Sequence, residues 1–364
     1  MEGRWRMANS QTSSVGRSLG GSIPSAGSRH PDLALADVVA LRYGGLLPAA
    51  ALREVGVTPH GLRRLCAAGV LHGIRRGVYV AGERWRAADA DERYRLLVRA
   101  TVLAAGHPPV LSHQSAAALH GLPTIGGWPD TVHALTPDTS GGSTASHLTG
   151  HRGPAPDAVT EIEGCRVTPL ARTLVDVAVT SSFLVAVTML DHALRVEQER
   201  QNRPGALVRP GEEPGRPALT RDDLLRELES VNPRTGRRRA EHAIRFADPL
   251  SANPGETLSR VRIFQLGFEV PELQVCFPDI DGRNAYVDFW WRRVRKIGEF
   301  DGFLKYGAGS VLGDRDPGVV VWAEKKREDA LRARVASFDR WGWDLALSPE
   351  RFHAFLTERG VPRA

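Results

Sequence analysis

The stretch 285–302 reads AYVDFWWRRVRKIGEFDG, and its reading decides the fold of the last third of the chain. Tyr, Val, Phe and Trp on both sides of Asp288 form a β-prone, apolar run. A lone carboxylate in such a run is costly unless it is paired or holds a metal. Glu299 and Asp301 are two apart, so on a strand they share one face. A tight hairpin turning near Arg293 and Val294 sets Asp288 opposite Glu299, with Cβ atoms about 5 Å apart. Three converging carboxylates repel one another and raise their own pKa values. A divalent cation relieves that repulsion, and hard oxygen ligands suit Mg²⁺ or Mn²⁺.

Outward from the hairpin the pattern continues. NPGETLSRVRIFQLGF (253–268) is an amphipathic helix opened by Glu256, and VPELQVCF (270–277) is a strand carrying Gln274. AEKKREDALRARVASF (323–338) is a charged helix and WGWDLALS (341–348) a last strand. Helix, β-meander, helix, strand is an α/β sandwich pattern. With Glu256, Gln274, Asp288, Glu299, Asp301, Lys325, Arg327, Asp329 and Arg332 in place, residues 249–364 resemble the restriction-endonuclease-like PD-(D/E)xK superfamily. Within it they look most like the branch of the very-short-patch-repair endonucleases.

The resemblance implies that Asp288 and Glu299 hold Mg²⁺ and that Glu256 orients or ligates. It also implies that Asp301 binds a second metal or positions water. In the superfamily a lysine two residues after the Glu helps activate water, and Asp301 stands there instead. Lys325 is the first candidate for that role and Lys305 the second, with Lys325 and Arg327 stabilising developing charge. Two plainer readings stand beside this one. The charged helix can be a solvated face with i,i+4 ion pairs, and the domain can be a catalytically inactive scaffold.

At the other end, residues 32–83 have the pattern of a winged helix-turn-helix. LALADVVALRYGG and LPAAALREVG read as helices; Thr58 caps and Pro59 opens a third, HGLRRLCAAGVL, which is followed by an alternating ribbon, LHGIRRGVYVAG. With the third helix in a major groove, His60, Arg63 and Arg64 face DNA. Arg75 and Arg76 at the wing tip then reach phosphates or the minor groove, and Leu62, Leu65 and Val70 pack inward. The run 46–80, above all GVLHGIRRGVYV, resembles the N-terminal domain of the AbiEi family, the antitoxins and transcriptional autoregulators of type IV toxin–antitoxin systems. VLSHQSAAALHGLP (110–123) and VTPLARTLVD (167–176) resemble segments that follow that domain in many actinobacterial relatives.

Residues 84–248 read as a mixed α/β middle region of the AbiEi type. Ser112 reads as a helix N-cap, His120 as a last helical residue, and Arg172 with Asp176 as a structural i,i+4 pair, with Asp191 in a similar role. Ser112, His113, Ser115 and His120 do not make a hydrolase: there is no G-x-S-x-G and no acid at a recognisable offset. Residues 1–31 read as a disordered tail without the apolar core of a signal peptide, and 198–217 as a mobile insertion.

The whole is therefore expected to be multidomain α+β: a winged helix-turn-helix, a mixed middle region and an endonuclease-like sandwich. Across 364 residues the net charge is +6, too small to name a partner. Three cysteines form no framework, and a reduced cytoplasmic compartment without a membrane span fits. Only four of the 48 basic residues are lysines, and all four lie in the last seventy positions. Two functions compete. One is a Mg²⁺-dependent endonuclease acting on double-stranded DNA; the other is a non-enzymatic AbiEi-type autorepressor, with a nucleotidyltransferase toxin as its partner.

Overall fold

The computed structural model describes residues 31–136, 147–154, 156, 158–202, 218–280, 282–302 and 317–364. The first segment runs α1 (Pro31–Arg42), β1 (Leu46–Pro48), α2 (Ala49–Glu54), α3 (Pro59–Ala67), β2 (Leu71–Arg75), β3 (Val78–Ala81) and α4 (Gly82–Ala87). Thr58 accepts from the Gly61 N–H at 3.0 Å, which fixes the start of α3 with Pro59 in its first turn. The strands form an antiparallel sheet in the order β1-β3-β2. Leu47, Leu52, Leu65 and Leu71 close a core between the sheet and helices α1–α3, with Leu62 and Val70 at its edge.

The middle of the chain contains α5 (Ala90–Ala104), α6 (His113–Leu119), β4 (Val132–Thr136), β5 (Leu148–Arg152), β6 (Thr160–Ile162), β7 (Cys165–Val167), α7 (Leu170–Thr180), α8 (Phe183–Asn202), α9 (Arg221–Val231) and α10 (Arg237–Phe246). β4 and β5 pair in parallel, β6 and β7 antiparallel. A reciprocal capping box between Thr220 and Asp223 opens α9. Two expectations need correction here. Ser112 precedes α6 but its hydroxyl makes no cap bond, because it is engaged by the neighbouring His113 ring at 2.9 Å. The expected insertion at 198–217 begins as helix: α8 continues to Asn202, extended by the ion pairs Arg195–Glu199 and Glu197–Arg200. Residues 203–217, and the expected tail at 1–31 up to His30, lie outside the described residues, and Pro31 opens α1.

The last segment has α11 (Pro254–Gln265), β8 (Glu272–Ile280), β9 (Arg283–Trp291), β10 (Lys296–Asp301), α12 (Pro317–Arg332), β11 (Ser337–Gly342), α13 (Trp343–Ala346) and α14 (Pro349–Glu358). The sheet order is β11-β10-β9-β8, an antiparallel meander with β11 added parallel to β10. One face packs on α11, α13 and α14 through Leu258, Phe289, Trp291, Trp341 and Phe352. The other packs on α12 through Val287, Trp290, Ile297, Leu331 and Phe338. The final strand comes earlier than the aromatic run WGWDLALS suggests. It is SFDRWG, because Phe338 and Trp341 must enter opposite cores, and Trp343–Ala346 turns into helix.

The boundary expected at 249 is not a linker. Arg260 of α11 donates to both oxygens of Asp191 of α8, at 2.7 and 2.9 Å, and both residues are buried. Thr257 and the Asp248 N–H complete the carboxylate's partners. Val261 enters the core of the middle region while Leu258 and Ile263 enter that of the sheet. α11 thus belongs to both cores.

Candidate functional site

The site grows from a crossing in the β8–β9 pair. On β9, Ala285 and Val287 face the α12 side, while Phe289 and Trp291 face the α11 side. On β8, Val275 and Leu273 divide in the same way. The pairs Leu273↔Phe289 and Val275↔Val287 bracket Gln274 and Asp288, so these two residues sit where both strands exchange faces. Gln274 has φ +48°, a left-handed backbone rarely adopted by a non-glycine. Its side chain explains why it is held there. The amide Nε2 donates to Asp288 Oδ1 and to Glu256 Oε2, both at 3.3 Å.

The β9–β10 ladder runs Lys296↔Trp291, Ile297↔Trp290, Gly298↔Phe289. This is the register expected from the sequence, and it brings Glu299 level with Asp288. Beyond Gly298 the ladder stops, and Asp288 Oδ2 accepts the Phe300 N–H at 2.8 Å. Glu256 reaches the same place from the first turn of α11. It also accepts from the Ala252 N–H at 2.7 Å and the Asn253 side-chain amide at 2.5 Å, and Asn253 caps the helix. Gly255 allows this approach, since a Cβ there would strike the Phe300 ring.

Burial, then the negative charge of Asp288, pushes the Glu256 carboxyl up to about 8. Burial also pushes Asp288 up to about 6; the Phe300 N–H opposes the rise and Glu299 adds to it. Neither carboxylate has an ion-pair partner among the described residues.

Glu299 is different. Its Oε1 accepts from Arg327 Nη2 at 2.7 Å and its Oε2 from Arg340 Nη2 at 2.9 Å. Both arginines also hold Glu324, and Arg340 lies 3.4 Å from Glu328. Arg327 further donates to the Tyr286 carbonyl. Glu299 therefore belongs to an ion-pair network between β10, β11 and α12, with both its oxygens engaged by arginines. Among the described residues no three His, Cys, Asp or Glu side chains converge as a metal-holding group. Two fit in part: Glu256 and Asp288 are buried, like-charged and separated by a single neutral amide.

Asp301 is half-buried at the end of β10, beside Gly342. Lys325 is exposed, off the face of α12 on which Glu324, Arg327 and Leu331 meet the sheet, so the structure does not bring it to the carboxylates. Lys305 lies outside the described residues. The buried lysine is Lys296, bonded to Ser337 and, at 2.7 Å, to Asp339.

At the N-terminal end His60, Arg63 and Arg64 are exposed on α3 above the buried Leu65, and Arg76 is exposed at the β2–β3 turn. Arg75 departs from the expected wing tip. Its Nε donates to Thr101 of α5 at 2.8 Å, because the hairpin packs against that helix.

One cluster has no signature in the sequence, since its members are far apart along the chain. His113 stacks on His151 at 3.5 Å between centroids, and His151 Nε2 lies 3.0 Å from His133 Nδ1. Burial, reinforced by the neighbouring rings, pushes His113 down to about 2 and His133 down to about 4. All three are neutral imidazoles near pH 7. Ser115 bonds Tyr94 and the His133 N–H, so it is a structural hydroxyl.

No protein-family model matches the chain, and no curated protein matches it. Among solved structures, the chain is similar to the RV2827C protein from Mycobacterium tuberculosis. The identity is 16%, over 61% of this chain and 79% of that one, with a TM-score of 0.36, a likeness too distant to carry an argument. Among the described residues no helix is long and apolar enough to cross a membrane.

Proposed function

We propose that this chain binds double-stranded DNA and cleaves its phosphodiester backbone in a Mg²⁺- or Mn²⁺-dependent reaction. The observation that carries the reading is the buried pair Glu256 and Asp288, which share the Gln274 amide and have no ion-pair partner among the described residues. Two buried carboxyls that raise each other's pKa are costly to ionise together, and such perturbed groups cluster at functional sites. The order helix, three antiparallel strands, helix, parallel strand supports an endonuclease-like sandwich. The order α2, turn, α3, β2–β3 supports a winged helix-turn-helix, with His60, Arg63, Arg64 and Arg76 toward DNA.

In this reading Glu256 and Asp288 would hold the cation, with Gln274 turned aside. When bound, the cation supplies charge neutralisation at a phosphate oxygen and lowers the pKa of its water. Gln274 would then offer its amide to a phosphate oxygen, while the Phe300 N–H keeps hold of Asp288 Oδ2. Arg327 and Arg340 stand beside the strand acids as counter-charges to an entering phosphate. The test is supercoiled plasmid and linear duplex with Mg²⁺, Mn²⁺ or EDTA, using Asp288→Ala and Glu256→Ala as controls. Metal-dependent nicking lost in both variants supports the reading. No cleavage with either metal, or cleavage that survives both variants, sinks it.

A second reading rests on a different observation. Both Glu299 oxygens are occupied by arginines, and this closed network suits a binding module without cleavage. The chain would then be an AbiEi-type autorepressor with an inactive nuclease-like domain, and a nucleotidyltransferase toxin as partner. Sequence-specific DNA binding with no cleavage under any metal supports this alternative.

A further inference from the structure

An open cleft of about 810 Å³ lies between the β2–β3 hairpin and the C-terminal end of α5. Arg75, Arg76 and Tyr79 line it from the hairpin, Thr101 and His107 from α5 and the turn after it, and His147 from the entry to β5. The rest of the wall is largely apolar, with Ile74, Ala104 and Leu148. Among the described lining residues there is no carboxylate, and Arg75 and Arg76 bring positive charge to the cleft.

Arg75 is fixed in this position. Its Nε donates to Thr101 Oγ1, which itself donates to the Leu97 carbonyl at 2.7 Å. Its Nη2 is cut off from solvent and has no hydrogen-bond partner. Burial also lowers the Arg75 pKa, the mark of a cation short of solvation. An oxyanion seated in the cleft meets the positive charge of Arg75, held in place by Thr101, together with that of Arg76, exposed at the turn. The remaining shape is suited to a flat, partly apolar group, since the Tyr79 ring and the aliphatic wall flank the cations. The volume lies within the roughly 300–1,000 Å³ of small-molecule sites.

We infer that this cleft binds a nucleoside phosphate, with the phosphate at Arg75 and Arg76 and the base against Tyr79. The inference is independent of the carboxylates at Asp288. A phosphate of this kind comes either from a free nucleotide or from an unpaired nucleotide of a nucleic acid strand.

The experiment is isothermal titration of the full chain with AMP, ATP, inorganic phosphate and a short single-stranded oligonucleotide. Arg75→Gln removes the charge, and Ala104→Trp fills the cleft from an exposed position that leaves the fold intact. Arg245→Ala, exposed on α10, is the control outside the cleft. Mononucleotide binding weakened about tenfold or more by both variants, and unchanged in the control, supports a free nucleotide; tenfold corresponds to about 1.4 kcal/mol. Binding of the oligonucleotide alone, with the same dependence on Arg75 and Ala104, supports a nucleic acid strand as the source. Inorganic phosphate bound as tightly as AMP overturns the nucleoside assignment. Absence of binding by every probe, or binding indifferent to both variants, overturns the site.

Discussion

Replacing Glu256 with Gln should shift the stability of this protein, relative to wild type, more favourably in mild alkali than in mild acid. The Glu256 carboxyl is raised from 4.5 to about 8, chiefly by burial and next by Asp288. The folded state therefore holds a proton that the unfolded chain releases between those two values. Where the folded state binds more protons, stability falls as pH rises. The loss begins above the unfolded value and is complete above the folded one. Asp288, raised from 3.8 to about 6, adds the same sign over a lower window. At about 1.4 kcal/mol for each tenfold in proton affinity, Glu256 alone would set a ceiling of about 5 kcal/mol. The two carboxylates share Gln274 and titrate as a pair, so one substitution should recover about 1–3 kcal/mol of it. The amide also loses an acceptor for the Ala252, Asn253 and Gln274 donors, a cost of about 1–3 kcal/mol that does not vary with pH. The diagnostic quantity is thus the change between pH values, read from urea unfolding followed by circular dichroism at about pH 5 and about pH 8.5. If the difference between variant and wild type is the same at both, the assignment of a strained carboxylate pair is refuted. Millimolar Mg²⁺ should narrow the gap at the higher pH by stabilising the wild type alone.

Three further outcomes are expected. Asp191→Asn leaves Arg260 buried without its counter-charge and should cost about 3–5 kcal/mol in urea unfolding. The loss should extend to the middle region and the β8–β11 sheet together, because α11 is common to both cores; separate transitions would refute that coupling. Gly298→Ala drives a methyl into the Trp341 ring and close to Trp291, and should cost about 1–3 kcal/mol with a changed near-ultraviolet tryptophan signal. Arg63→Ala combined with Arg64→Ala should weaken DNA binding and flatten its dependence on salt by up to about two counterions; an unaltered slope would remove α3 as the docking face.

The Asp288 hairpin was legible because strands have a period of two and a tight turn fixes the level of its arms. The register through Gly298↔Phe289 follows from those local facts. The α3 cap was legible for a similar reason, since Thr58 and Pro59 act within one turn. The last strand was misplaced because a parallel neighbour is reached through a crossover. Only packing tells SFDRWG from the equally aromatic residues after it. Lys325 was chosen by rarity and nearness in sequence, but a helix turns about 100° per residue, and that rotation takes it away from the face that meets the sheet.

By itself the sequence determined the helices that open on a local cap, that Asp288 stands level with Glu299, and that α3 presents arginines above a leucine core. Those properties depend on neighbours a few residues away. The tertiary structure alone decided that Arg327 and Arg340 neutralise Glu299, and that Gln274 bridges Glu256 and Asp288. It alone decided that Thr101 holds Arg75 back from the wing tip. Each of these joins residues from different elements, and a charge's partners are set by distance and burial in space, to which spacing along the chain is blind.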